Sequence, residues 1–238
     1  MIIDKPEGYE PGTDLDLMER LLPVSGARVL ELGCGRAQMT LAMVESLGAA
    51  EVVATEVDRI QHERNLQLGD LPRVRFKLAG AEATGEPARS FDVVVMLKSL
   101  HHVPVDLLDD ALAEIRRVLR PGGLAYISEP VYAGSFNELL RMFHDEREVR
   151  EAAFEALRRA VEGGRMELVS ETFFEASNRF ESWEAFEDQV LGATHTEHRL
   201  DPALHALVKQ AFLAQTTPGG AALFQVPCRV DLLRRPAD

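Results

Sequence analysis

The stretch VLELGCGRA, residues 29–37, decides the fold of this chain. An apolar β run enters a turn with two glycines, and helix-forming residues 38–47 follow, up to Gly48. Glycines at such a turn let the backbone amides approach a ligand closely. The sequence therefore predicts a strand–turn–helix unit that binds a ligand at its turn, and a purely structural turn is the alternative.

The spacing of small residues in the turn distinguishes two ligand classes. A turn that binds a dinucleotide needs a small residue at its sixth position, where this chain has Gln38. The pattern that fits is an acid followed by small residues at alternate positions, namely Glu31, Gly33, Gly35 and Ala37. It favours a loop that curves under a nucleoside with an amino-acid tail.

A second acid completes this candidate site. The next β run ends on Glu56, about 20 residues beyond the glycine turn, where a carboxylate can accept hydrogen bonds from both ribose hydroxyls. Asp58 is the second choice for this role. Capping of the following helix is the alternative for either acid, and for Asp58 it is the favoured one.

β runs and helical stretches alternate through the first 130 residues. Five strands are predicted, at residues 28–32, 51–56, 74–78, 93–97 and 124–128. The fourth is apolar throughout, which is typical of a strand buried on both faces. The alternation predicts an α/β fold with a doubly wound, mostly parallel, Rossmann-like sheet.

The alternation changes after Pro130. Charged helices are predicted over residues 135–161, and two closing strands at 166–174 and 222–233; Pro227 requires an edge or a bulge in the last strand. Further helices are predicted at 182–191 and 201–215. We divide one domain into a ligand-binding core at 1–130, a helical substrate cap inserted after the fifth strand at 131–165, and closing elements at 166–238.

Composition excludes several partner classes. The 238 residues carry a formal net charge of −13, which repels phosphate backbones and anionic membrane surfaces, so neither nucleic acid nor a membrane is an expected partner. The apolar runs are too short to span a bilayer, and the start MIIDKPEGYE lacks a signal-peptide pattern. Two cysteines 194 positions apart predict neither a disulfide framework nor a zinc site. A cytoplasmic location is expected.

Four motifs in this order resemble the class I S-adenosylmethionine-dependent methyltransferases, of the small-molecule type related to ubiquinone biosynthesis. They are VLELGCGRA at 29–37, ATE at 54–56, SFDVVVMLKSLHHV at 90–103 and RVLRPGGLAYISEP at 117–130. The resemblance implies a seven-stranded sheet with its last strand antiparallel. It also implies S-adenosylmethionine as cofactor and a small-molecule substrate as methyl acceptor.

The resemblance implies a set of cofactor contacts. Gly33 and Gly35 would line the methionine and ribose, Glu31 would orient the turn or the amino group, and Glu56 would bind the ribose. The full predicted set is Glu31, Gly33, Cys34, Gly35, Glu56, Val57, Ala81, Glu82, Met96 and Leu97.

One motif departs from the family pattern. The family usually has a Gly-Asp-Ala triplet after the third strand, whose Asp holds the adenine amino group. This chain has Ala79-Gly80-Ala81 instead. The side chain of Glu82 and the amide of Ala81 are the expected replacements.

Candidate catalytic and substrate residues follow the fourth and fifth strands. A general base is needed only when the acceptor arrives protonated. His102, and after it His101, are the predicted bases, and a structural hydrogen bond is the alternative for both. Glu129, Tyr132 and His144 are predicted to contact the substrate, with turn capping or packing inside the cap as the alternatives.

The remaining histidines predict no metal site. His62-Glu63 lacks a second His four positions on, and His195 and His198 lack a third ligand nearby in the sequence. Two other functions remain open: a cofactor-binding protein without transferase activity, and a methyltransferase acting on a macromolecule such as tRNA or protein. The apolar positions of the inserted helices could serve a homodimer interface.

Overall fold

A single mixed sheet organises the molecule. The computed structural model describes residues 1–192 and 200–237. Its strands are β1 (Glu10–Pro11), β2 (Arg28–Leu32), β3 (Glu51–Glu56), β4 (Val74–Leu78), β5 (Phe91–Leu97), β6 (Leu119–Pro130), β7 (Glu167–Phe180) and β8 (Ala222–Arg234). They lie in the order β1-β7-β8-β6-β5-β2-β3-β4, with β8 antiparallel to both β6 and β7 and the other neighbours parallel.

Helices cover both faces of this sheet. They are α1 (Asp14–Leu21), α2 (Gln38–Glu45), α3 (Arg59–Asn65), α4 (Leu108–Val118), α5 (Gly134–Leu140), α6 (Arg147–Glu162), α7 (Trp183–Phe186) and α8 (Pro202–Leu213). Thr13 and Asp16 form a capping box at the start of α1, and Asp201 caps α8 ahead of Pro202. None of the helices in the described ranges is long and apolar enough to span a membrane.

The predicted Rossmann-like α/β fold is confirmed, and the predicted number of strands needs a correction. The sheet has eight strands in the described residues because Glu10 and Pro11 pair with Phe174 and Glu175 of β7. A two-residue strand carries no readable alternation of polar and apolar residues, so the sequence gives no sign of it.

Two apolar clusters sandwich the sheet. On one face, the sheet packs against α4 and α6, whose Ala156, Leu157 and Ala160 are fully buried. On the other face, it packs against α1 and α2 through residues such as Met18 and Met43. Although α6 lies in the predicted cap, it therefore packs as an ordinary crossover helix of a doubly wound sheet.

A third cluster lies at the end of β7 and β8. Its buried members come from α5, α7, α8 and the two strands: Leu139, Phe180, Trp183, Phe186, Val208, Phe212, Ala222 and Phe224. The residues of the predicted cap, 131–165, are thus divided between this cluster and the α6 face of the sheet. Their role in binding substrate stays a prediction.

The position of β8 corrects the expectation that Pro227 needs an edge strand or a bulge. β8 lies between β6 and β7, and the pairing with β6 ends at Pro130 opposite Cys228. The carbonyl of Pro227 accepts from the amide of Val131, so the missing N–H faces the end of β6. The strand tolerates proline because no ladder bond with β7 is lost.

Two strands are longer than predicted. β6 begins at Leu119, which pairs with Phe91, and the register shifts before Leu124 pairs with Val93. The sequence Pro121-Gly122-Gly123, expected to end a helix, lies inside this irregular start of the strand. β7 continues to Phe180 because its whole second half pairs with β8.

Candidate functional site

The glycine turn lies at the point where the order of the strands along the sheet reverses. β2 is flanked by β3 and β5, and the carboxyl ends of these parallel strands meet at one edge. Gly33 and Gly35 have φ angles of +75° and +50°, and Ala37 has a φ of +61°. A Cβ on Gly33 would lie 2.8 Å from the Cβ of Ser99, which follows β5. Glycine is required at position 33 both by its left-handed backbone and by this close approach.

Glu56 closes the turn from the end of β3. Its Oε2 accepts from the amide of Gly35 at 2.8 Å, and its Oε1 accepts from the amides of Val57 and Asp58 at 2.8 and 2.9 Å. The side chain of Asp58 instead accepts from the amide of Ile60 and caps α3. The helix-capping alternative therefore applies to Asp58, and Glu56 is the acid that reaches the turn.

Glu31 lies beneath the turn and is buried. Thr40 of α2 donates its hydroxyl to Glu31 Oε2 at 2.5 Å. Burial raises the pKa of Glu31 to about 7, with the nearby charge of Glu56 adding to the rise and the Thr40 hydrogen bond opposing it. Near neutral pH the carboxyl of Glu31, directly below the glycine turn, is therefore expected to change between its protonated and ionised forms.

Asn65, the last residue of α3, contacts the glycine turn and is not singled out by the sequence. Its Nδ2 donates to the carbonyl of Gly35 at 2.7 Å and contacts Cys34 Sγ at 3.5 Å. Cys34 is buried, and burial raises the pKa of its thiol, so it stays neutral. Asn65 ties α3 to the turn, while Cys34 fills the space between the glycines.

Glu82, whose contact with adenine stays a prediction, lies beside Gly80, where the family pattern has an Asp. Its carboxylate oxygens lie 2.4 Å from the point where a Cβ of Gly80 would stand. An Asp at position 80 would carry its own carboxylate into the same space. Ala81 is buried beside the carboxylate, and Val57 is 69% exposed on the neighbouring strand end. Met96 and Leu97 end β5 next to β2 and β6.

A cavity of about 400 Å³ lies next to the turn. It is bounded by Met39 of α2, by residues after β5 and β6, and by α5 and α6. Lys98 also lines the cavity, and its backbone has a strained left-handed conformation with a φ of +53°. Its ammonium pairs with Asp14 at the start of α1. Asp14 also accepts a hydrogen bond from the hydroxyl of Tyr126 at 3.1 Å. One wall of the cavity therefore carries a balanced ion pair.

His101 lies at the opposite wall between two carboxylates. Its Nδ1 is 2.5 Å from Glu129 Oε2, and Glu129 Oε1 accepts from the amide of Leu100 at 2.9 Å. Its Nε2 lies 3.8 Å from Glu146 Oε1. Burial lowers the pKa of His101, but the charges of Glu129 and Glu146 outweigh it and raise the pKa overall.

Glu146 joins this wall from the residue that precedes α6. Arg150 donates to Glu146 Oε2 at 2.6 Å, and His144 Nε2 lies 3.2 Å from Oε1. The ring of His102 is exposed and its centroid lies 4.1 Å from that of His101. Ligand-capable atoms of His101, His102 and Glu146 all lie within 4.8 Å of one another.

The predicted catalytic and substrate residues fall into two groups. His101 and His102 line the cavity, whereas Glu129 is buried behind His101. Tyr132 packs under the guanidinium of Arg147 at 4.1 Å, and His144 adjoins Glu146; neither lines the cavity. Their roles stay predictions, and His195 and His198 lie outside the described residues.

Sequence reasoning missed the four Asp, Glu, Lys and Arg residues that line the cavity: Asp14, Lys98, Glu146 and Arg150. Lys98 carries the only usable signal, because it directly follows the apolar strand β5. The others lie far away in sequence, on α1 and α6. Only the packing of those helices against the sheet brings them to the site.

Comparison with known proteins places the turn within a recognised domain. A family model described as a methyltransferase domain matches residues 29–123. The methyltransferase GfsG of Streptomyces halstedii is 34% identical over 52% of this chain and 45% of its own length. The ubiquinone/menaquinone biosynthesis C-methyltransferase UbiE of Azotobacter vinelandii is 31% identical over 50% of this chain and 48% of its own.

The chain thus spans about half the length of the curated relatives it matches. Among solved structures, the [4+2]-cyclase SpnF shares the fold with a TM-score of 0.58, over 97% of this chain and 87% of that chain, at 19% identity. Because fold likeness at this identity does not define a reaction, the chemistry has to be argued from the site itself.

Proposed function

We propose that this chain, whose residues 29–123 match a methyltransferase domain model, transfers the methyl group of S-adenosylmethionine to a small-molecule acceptor. The observation that carries the proposal is the glycine turn, which Glu56 closes through the amide of Gly35. This turn opens beside the cavity, since Met39, on the helix that follows the turn, lines that cavity. Donor and acceptor sites would therefore be adjacent.

The residues of the turn fit this cofactor. The positive φ angles of Gly33 and Gly35 keep side chains away from the turn, so the backbone is open to a ligand. The carboxylate of Glu56 uses three amides as donors and keeps acceptor capacity for ribose hydroxyls. At the adenine end, Glu82 offers a carboxylate over Gly80. The ribose and the adenine of the predicted cofactor thus each have a complementary carboxylate, Glu56 and Glu82.

When bound, the cofactor supplies an electrophilic methyl group on a positively charged sulfur. The protein's share of the chemistry is to align the acceptor with that methyl group and to exclude water. Such alignment is worth on the order of 7–11 kcal/mol in well-oriented systems. His101 and His102, on the cavity wall, are the groups proposed to receive a proton from a protonated acceptor.

The cavity supports a small-molecule acceptor rather than a macromolecular one. Its volume of about 400 Å³ falls within the usual range of small-ligand sites. Its charged groups are paired in the protein, Lys98 with Asp14 and Arg150 with Glu146. We therefore propose an acceptor with polar but not strongly charged groups, such as a hydroxylated or keto compound.

Calorimetric titration with S-adenosylmethionine and S-adenosylhomocysteine tests the cofactor. We expect one site per chain and an affinity at least tenfold weaker in Glu56→Ala, because the turn loses its acceptor. Glu63→Ala, an exposed acid on α3, is the matched control and should bind as the parent does. Absence of binding by the parent chain would overturn the proposal.

Transfer itself needs a second experiment. Incubation with methyl-labelled cofactor and a metabolite extract is expected to place label in a small-molecule fraction. Label in tRNA or protein would point to a macromolecular acceptor. Cofactor binding without any labelled product would indicate a binding protein without transferase activity.

A further inference from the structure

His101, His102 and Glu146 form a cluster of which the methyl-transfer proposal uses only the two imidazoles, as proton acceptors. We propose that these three residues bind a divalent first-row transition cation of the zinc type at the wall of the cavity. Two imidazole nitrogens and one carboxylate oxygen are a ligand set that such ions prefer. The set does not depend on the cofactor, so the proposal stands apart from the proposed function.

The spacing of the ligand atoms fits a single ion. With bonds to nitrogen and oxygen of about 2.1 Å, two ligands of a tetrahedral ion lie about 3.4 Å apart. His101 Nε2 and Glu146 Oε1 are 3.8 Å apart, too far for a hydrogen bond and close to that value. All three atoms lie within 4.8 Å of one another. The cluster would thus contract by at most about 1.4 Å around the ion.

Outer contacts hold two of the ligands in position. The carboxylate of Glu129 binds His101 Nδ1, which turns Nε2 of the same ring towards the cluster. A carboxylate behind a metal-binding imidazole is the usual arrangement in metalloproteins. Arg150 holds Oε2 of Glu146, so Oε1 is the oxygen offered to the ion, and the contact of His144 Nε2 with Oε1 at 3.2 Å would give way to it. His101 and Glu146 are only 5% and 7% exposed, so both are fixed by the surrounding packing.

Electrostatics also favour a cation. Two buried carboxylates, Glu129 and Glu146, face His101 from both sides, while Arg150 supplies one positive charge. An ion at the cluster would take the place of a proton on His101 Nε2, and that proton would pass to solvent. The three ligands also line the cavity, so a further coordination position could take an acceptor oxygen. This last consequence alone rests on the proposed function.

Cobalt is the probe for this site, because Co²⁺ replaces zinc and absorbs visible light when bound. The full chain is treated with a chelator, dialysed, and titrated with Co²⁺. We expect saturation at one equivalent and displacement of the band by Zn²⁺. His102→Gln and Glu146→Gln should each weaken cobalt binding at least tenfold. His102 is exposed, so its replacement leaves the packing intact.

His205→Gln is the matched control. His205 pairs with Glu187 at 2.7 Å on another part of the surface, and this pair is not part of the three-ligand cluster. The inference is overturned if the parent shows no saturable band, if both site variants retain it, or if the control loses it. A parent that binds S-adenosylhomocysteine but no cobalt refutes the metal site alone. One that binds cobalt but not that ligand refutes the proposed function alone.

Discussion

At the scale of single residues, two buried carboxylates define the glycine turn. Glu56 is fixed in place by three backbone amides. Among the described residues, Glu31 has the Thr40 hydroxyl as its side-chain partner, and burial raises its pKa to about 7. The pKa of Glu31 rises because the effect of burial outweighs that of the Thr40 hydrogen bond.

Glu31 makes stability depend on pH. Between its ordinary pKa of 4.5 and about 7, the folded protein keeps the proton that the unfolded chain releases. Raising the pH through this window therefore favours unfolding, and above about pH 7 the effect is complete. Glu31→Gln cannot ionise, so its stability relative to the parent should rise by up to roughly 3 kcal/mol across the window.

Urea unfolding of the parent and Glu31→Gln at several pH values between about 4.5 and 7.5 measures this difference. Glu45→Gln, an exposed acid on α2, serves as control and should follow the parent throughout. If the difference in free energy of unfolding between the parent and Glu31→Gln is the same at every pH in this range, the pKa of Glu31 is not raised in the folded protein.

At the scale of elements, the helices fall into a group that completes the sheet and a group that forms its own core. α4 and α6 complete the sheet, whereas α5, α7 and α8 surround a cluster of aromatic rings. Phe212 lies at the centre of that cluster, with ring centroids of Trp183, Phe186 and Phe224 within 5.6 Å. The buried strand residues of the aromatic cluster come from the end of β7 and the start of β8, and Phe136 of α5 packs against both this cluster and the cluster on the sheet face.

This arrangement predicts that the aromatic cluster unfolds before the sheet when it is weakened. Phe212→Ala should cost about 3–5 kcal/mol, because Phe212 is almost fully buried. Trp183 is the only tryptophan and reports the cluster by fluorescence, while far-UV circular dichroism reports the whole chain. We expect the fluorescence midpoint of Phe212→Ala to fall below its dichroism midpoint.

Leu157→Ala is the control for this experiment, because Leu157 is fully buried on α6 against the sheet. It should lower both midpoints together. If the two probes stay coincident in Phe212→Ala as well, the cluster and the sheet unfold as one unit.

At the scale of the whole molecule, the net charge of −13 contrasts with the balanced charges of the cavity. The surface excess of acid disfavours anionic polymers, while Lys98 and Arg150 each have a carboxylate partner inside the cavity. The overall charge therefore affects which partners approach the protein, and the ion pairs of Lys98 and Arg150 affect which ligand the cavity can bind.

Cofactor binding should stabilise the whole fold by mass action. At a concentration 100 times its Kd, S-adenosylhomocysteine is expected to add about 2.7 kcal/mol. For a chain of this size this corresponds to a rise in Tm of about 5–10 °C in a thermal scan. NAD is the control ligand and should produce no rise, since Gln38 breaks the dinucleotide pattern. A rise with NAD alone would contradict the assignment of the turn.

Local sequence determined the turn and the fold class. The spacing of Glu31, Gly33 and Gly35 predicts the ligand class, because backbone conformation at a tight turn depends on the residues within it. Likewise, β5 was readable because a strand covered on both faces is nearly continuously apolar, as residues 93–97 are. The short strand β1 was not predicted, since two residues carry no pattern.

Only the tertiary structure decided the composition of the cavity. Asp14, Glu146 and Arg150 come from helices far apart in sequence, and no local pattern marks them. The same holds for Glu82, whose carboxylate reaches the space over Gly80 by folding back along the loop. Short-range spacing controls backbone conformation, whereas the meeting of distant side chains depends on how helices pack across the sheet. For that reason the sequence by itself determined the turn and the ligand class expected there, and packing alone decided which charged side chains line the cavity.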